Sequence, residues 1–232
     1  MDLLDRLSEP ATDLLARVDD TLTDLGAPDG HPIWPLLRRL RTLPGAAAKA
    51  ITALQPAALA GAGAQVRGLT SGYDHTRATL TGSSSWQGAG ADAYDVQRAA
   101  LAAHLADGPD GITGRLTDTA DFADALVDWA AGARAALAGT LAEVLASAEA
   151  VALVTGLSRH SDLDPDGSAD RGGTAAAQAA AEIGVRVLST VAEAYDHAAE
   201  LLRRWEPRLA RVPYHPGPDG VVRLDSTIRV AD

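Results

Sequence analysis

The stretch that decides the fold runs from residue 112 to residue 151: ITGRLTDTADFADALVDWAAGARAALAGTLAEVLASAEAV. Ile112, Leu116, Thr119, Phe122, Leu126, Trp129, Ala133, Leu137, Leu141, Val144, Ala148 and Val151 recur at steps of three and four. That spacing keeps one apolar stripe on one side of an α-helix. At about 1.5 Å rise per residue, such a rod approaches 60 Å.

The same period is found on both sides of this stretch, between strong breaks. Pro-Asp-Gly occurs four times, starting at Pro28, Pro109, Pro165 and Pro218, and is well suited to turns. A first helical pattern is expected from Ser8, with Pro10 in its first turn, through Leu14, Leu15, Val18, Leu22 and Leu25 to a stop at Gly26. A short piece follows from Pro32 to Leu43. Leu59, Ala62, Val66, Leu69, Tyr73, Thr76 and Leu80 predict a long helix with a bundle seam, ended by Gly82, and another helix is expected from about Ser85 to Ala106. After the acidic loop from Ser158 to Gly173, a last helix over 174–206 places Ile183, Val187, Val191, Ala194, Ala198, Leu202 and Trp205 inward. The expected fold is all-α: an elongated four-helix bundle made of two long hairpins, 46–108 and 112–206. A short N-terminal helical arm (1–45) precedes it and an extended or flexible tail (207–232) follows, in which Val221-Val222-Arg223-Leu224 favours extended structure. Trp129, Tyr195 and Trp205 read as core, and Gly61-x-Gly63 as a place of close helix packing.

Composition excludes several function classes. The 232-residue chain has no cysteine, so disulfide, thiolate and Cys-zinc chemistry are absent. A net charge of −11 argues against a nucleic-acid surface. The acidic start MDLLDRLSEP lacks the basic and apolar regions of a Sec signal peptide. Glu143 and Glu149 interrupt the most apolar window, which argues against a transmembrane segment. No nucleophile elbow, phosphate loop or dinucleotide fingerprint occurs, and no two of the six histidines stand three or four apart. The expectation is a protein that is not an enzyme and needs no cofactor.

Between the two helices of the first hairpin lies Ser83-Ser84-Ser85-Trp86-Gln87-Gly88-Ala89-Gly90-Ala91-Asp92-Ala93-Tyr94. Ser84 and Gln87 have capping-box spacing, which starts the second helix close to Gly82. Trp86 then stands in the first turn and can cover the open end of the seam, and Gly88 lets backbone approach it. As a bare packing feature, this is an end-plug for the hairpin.

Trp86-x-Gly88 between two Ala-rich amphipathic helices, with Ala91 and Tyr94 following, resembles the WxG-motif family of type VII secretion substrates. The resemblance covers about residues 46–108. It implies a hairpin with the motif in its turn, pairing into antiparallel four-helix bundles, and export of folded protein by a membrane ATPase machine without a Sec signal. It further implies an actinobacterial-type protein, cytoplasmic before export and then secreted or at the cell surface. Trp86, Gly88 and Tyr94 are the partner-binding candidates. The partners implied are the secretion machinery, another WxG-like helical protein, or a second copy. The chain is more than twice the usual length of such proteins, and none of its tyrosines is followed four residues later by an acid. Its role is therefore expected to be that of a substrate, or of a leader or adaptor for one, including a leader cut from a longer toxin.

Asp162, Asp164, Asp166 and Asp170 fall at positions 1, 3, 5 and 9 of a calcium-loop pattern, with Gly167 at position 6. Gly173 stands where the bidentate Glu belongs, so the segment reads as an acidic solvated loop, with calcium binding as the sharper alternative. Coupled to that alternative is a second functional class: a self-assembling structural or pore- or ring-forming envelope protein that responds to calcium.

Overall fold

The computed structural model describes residues 2–82, 87–106, 108, 111–160 and 169–210. All regular structure among them is α-helical: α1 (Leu3–Asp24), α2 (Ile33–Leu40), α3 (Pro44–Thr52), α4 (Pro56–Leu59), α5 (Ala62–Leu80), α6 (Ala89–His104), α7 (Ile112–Leu145), α8 (Ala148–His160) and α9 (Ala169–Leu209). The all-α class is as expected. Of the extended tail expected over 207–232, residues 207–209 instead continue α9, and residues from 211 onward lie outside the described residues. No single helix among the described residues is long and apolar enough to cross a membrane.

The chain divides into two compact units. The first comprises residues 1–58 and 126–202, and the second residues 59–125 and 203–232. In the first unit the helices expected as an arm supply part of the core. Leu4, Ala11, Leu14, Leu15, Val18 and Leu22 of α1 are buried in one cluster with Leu137, Leu141 and Val144 of α7 and with Ile183, Val187 and Leu188 of α9.

The helices differ from the sequence reading in three places. α1 starts at Leu3 rather than Ser8, because Asp2 and Asp5 form a reciprocal capping box: each carboxylate accepts the other's backbone N–H at 2.9 Å. Pro10 therefore lies inside the helix. The rod expected over 112–151 breaks after Leu145. Ser147 Oγ donates to the Val144 carbonyl and accepts from the Ala150 N–H, and α8 leaves at 59° to α7. The break resets the stripe, so Ala150 and Leu153 are buried in place of Ala148 and Val151. On α9 the seam takes Leu201 in place of Leu202, and Tyr195, expected inward, is exposed. The Trp129 indole N–H donates to the Ala194 carbonyl at 3.0 Å, giving this half-buried ring the polar partner it needs.

Two glycines permit close docking in this unit. The N-cap residue of α3, Leu43, offers no side-chain cap, and Asp19 of α1 supplies one by accepting the Gly45 N–H at 3.0 Å. A Cβ on Gly45 would lie 2.6 Å from the Asp19 carboxylate. Burial pushes the Asp19 carboxyl up, opposed by the Gly45 and Ala46 N–H groups. Gly184 of α9 likewise makes room for Ile33, whose Cδ1 would stand 2.5 Å from an added Cβ.

Arg134 of α7 is a buried cation, 6% exposed. Its Nε and Nη2 donate to Asp2 at 2.7 and 3.0 Å, Nη2 also to Asp5 at 2.5 Å, and Nη1 to the carbonyls of Thr52 and Leu54 at 2.5 and 3.0 Å. One guanidinium thus ties the start of α1 and the end of α3 to α7. Five donors in a planar fork suit this task, whereas an ammonium would not reach all of these acceptors.

Candidate partner-binding face of the α5–α6 hairpin

α5 and α6 pack against each other in the second unit, where α5 is also fastened to α7. An added Cβ on Gly63 would lie 2.9 Å from the Ala120 carbonyl and 2.2 Å from Asp124 Oδ1, so the glycine sets how close the two helices lie. This agrees with the close packing expected at Gly61-x-Gly63, carried by Gly63; at Gly61 nothing stands nearer than 3.9 Å. One turn further on, Arg67 Nη2 donates to Asp121 at 2.7 Å and to Asp124 at 2.6 Å. These two carboxylates raise the Arg67 pKa above its ordinary value. Phe122 and Trp205 meet at 5.9 Å between ring centroids, with the Arg208 guanidinium over the indole at 5.2 Å. Trp205 is thus core, as expected.

The apolar residues assigned to the α5 seam are only partly covered: Ala62, Val66 and Leu80 are half-buried. Leu69 is 56% exposed, and Leu59 and Tyr73 are also exposed. On α6, Tyr94 is 52% exposed, and Val96 and Leu101 also face outward. Leu69 and Tyr73 are four apart, and Tyr94 and Leu101 seven apart, the spacing of an amphipathic stripe. The stripe is therefore real, but it is open in this structure. Val96 and Leu101 join the candidates here; the seven-residue step from Tyr94 to Leu101 is their signal in the sequence.

Of the three partner-binding candidates, Trp86 lies outside the described residues. Gly88 is the N-cap of α6, with φ 103° and ψ 175°. That region of backbone space is essentially restricted to glycine. The helix therefore begins at Ala89, not Ser85, and Gln87 precedes the cap, where it cannot be the third helical residue of a capping box. Ala91 is buried in the first turn, while Asp92 there suits the positive end of the helix dipole. Tyr94 carries Arg98 over its ring at 5.9 Å. Arg98 also pairs with Asp95 at 3.0 Å and donates to the Gly82 carbonyl, which ties the last turn of α5 to α6. Gly88→Ala is expected to cost about 1–3 kcal/mol through backbone strain. Amide hydrogen exchange would show this as faster exchange confined to the first turns of α6.

The calcium candidates Asp162, Asp164 and Asp166 lie outside the described residues, and Asp170 is described only as backbone in the first turn of α9. Among the described residues, no group of three or more His, Cys, Asp or Glu is placed to hold a metal ion. In comparisons with family models, curated proteins and solved structures, nothing matches this chain.

Proposed function

We propose that this chain is a non-enzymatic helical protein of type VII secretion, acting as an exported substrate or as a leader or adaptor for one. The observation that carries the reading is the α5–α6 hairpin: a glycine-only helix cap at Gly88, with outward apolar side chains at Leu69 and Tyr73 on α5 and at Tyr94 and Leu101 on α6. Exposed apolar rows of this kind mark surfaces that another protein covers. In this reading Trp86 and Gly88 identify the hairpin end to the partner, and Tyr94 extends the contact along α6. The partner is a component of the secretion machine or another WxG-like helical protein. Its helices pair with α5 and α6 on this face, in the antiparallel four-helix arrangement that the resemblance implies. The protein folds in the cytoplasm and leaves without a Sec signal.

The test is release from a host carrying a type VII machine, compared with the same host lacking the machine's ATPase. Wild-type protein is expected in the medium only when the ATPase is present, and Trp86→Ala is expected to stay in the cells. Equal release from both hosts would overturn the proposal.

A further inference from the structure

We infer that the outward face of α1 is a self-association surface, on which a second copy of this chain docks its own α1 antiparallel. This surface belongs to the first unit and is independent of the α5–α6 face. Arg6, Asp13, Arg17 and Asp24 lie at offsets of 0, 7, 11 and 18 residues along α1. At 3.6 residues per turn, these positions return to within about 20° of one line along the helix. All four residues are exposed. None of their side chains makes an ion pair or hydrogen bond with the described residues, even though Asp13 and Arg17 stand at the i,i+4 spacing that could close on itself.

The order of the charges identifies the occupant. Read along α1 the stripe runs plus, minus, plus, minus, with the exposed Asp20 at its edge, opposite Pro10 of the second copy. Positions 6 and 24, and positions 13 and 17, are equidistant from residue 15. Rotating a second α1 by 180° about that point sets Arg6 opposite Asp24, Asp13 opposite Arg17, Arg17 opposite Asp13 and Asp24 opposite Arg6. The stripe is its own complement, as an isologous two-fold interface requires. An unrelated partner would need the reverse pattern by coincidence.

The flanks suit the same docking. Asp13 and Arg17 form a ridge between two grooves. One, of about 440 Å³, is walled by α8 and carries Val151, 61% exposed, and Val154. The other, of about 740 Å³, has the side-chain-free Gly172 and Gly173 of α9 on its far wall. In the two-fold pairing this ridge meets its own copy charge to charge, with a groove along each side.

Sedimentation velocity on the full chain tests the inference. Wild type is expected to be a dimer at low ionic strength that weakens as salt is added. Asp13→Arg and Arg17→Asp each place like charges opposite one another and are expected to weaken dimerisation by about tenfold or more. An equimolar mixture of the two single variants restores both opposite-charge pairs and is expected to dimerise, as is the double variant Asp13→Arg/Arg17→Asp. Circular dichroism confirms that helix content is retained. The inference is overturned if wild type is monomeric, if its dimer is indifferent to salt, if the single variants dimerise as tightly as wild type, or if mixing them restores nothing.

Discussion

Arg134→Ala is expected to lower the free energy of unfolding by about 3 kcal/mol, through the loss of a buried guanidinium whose hydrogen bonds hold the start of α1 and the end of α3 to α7. The guanidinium is buried and all of its donor positions are used, on Asp2, Asp5 and the carbonyls of Thr52 and Leu54. Its loss leaves two carbonyls at the end of α3 without their donor and removes the counter-charge to the capping box of α1. Arg134→Lys is expected to recover little of the loss, because an ammonium cannot span this set of acceptors. Urea unfolding of the three proteins gives the comparison directly.

The same cluster sets an acid limit on stability. The Arg134 guanidinium first, and the Asp5 N–H second, hold the Asp2 carboxyl at about 2, below its ordinary 3.8. A carboxyl whose pKa is depressed on folding stabilises the protein above its unfolded value, and that contribution fades as pH falls toward the folded value. Stability should therefore decline from about pH 4 toward about pH 2. Asp19 acts with the opposite sign. Its carboxyl is raised by burial, so its contribution is present below the ordinary carboxylate value and is lost as pH rises through the raised one. Arg134→Ala is expected to flatten the acid limb, and an unchanged limb would show that Asp2 is not held by Arg134.

Leu137→Ala is the second large effect, expected at about 3–4 kcal/mol. Leu137 is fully buried in α7, within the cluster it shares with α1, α3 and α9. Removing its branched end leaves a cavity that close-packed neighbours cannot readily fill. Leu69→Ala, on the exposed side of α5, is expected to fall within about 0.5 kcal/mol of wild type. Urea midpoints of the two variants separate a leucine that builds the core from one that stands exposed. Equal losses would contradict the exposure of the α5 face.

Periodicity made the helices legible. The 3/4 steps of α1, α7 and α9 place Leu14, Val18, Leu137, Val144, Ile183 and Val187 in the core as read. Helix ends and registers were less legible, because single side chains set them. Asp2 starts α1 ahead of Ser8, Ser147 breaks the expected rod, and a one-residue shift of the seam on α9 buries Leu201 and turns Leu202 outward. Amphipathic spacing also cannot tell a seam that is filled from one that is open. Leu69 and Tyr73 have the spacing of core residues and stand exposed, because nothing in their period specifies which helix covers them. Arg134 was hidden for the opposite reason. An arginine inside an apolar run gives no sign in sequence that acceptors from residues 2, 5, 52 and 54 converge on it.

For the candidate face, the sequence held the glycine and the tyrosine. The structure supplies the positive φ of Gly88 and the outward row on both helices. The most direct measurement is the ratio of released to retained protein for Tyr94→Ser/Leu101→Ser in a host with an intact type VII machine, alongside its thermal unfolding. Unfolding close to wild type and strongly reduced release are expected, because these side chains are exposed and, in the proposed function, face the partner. Wild-type release, or a collapse of stability, would contradict it.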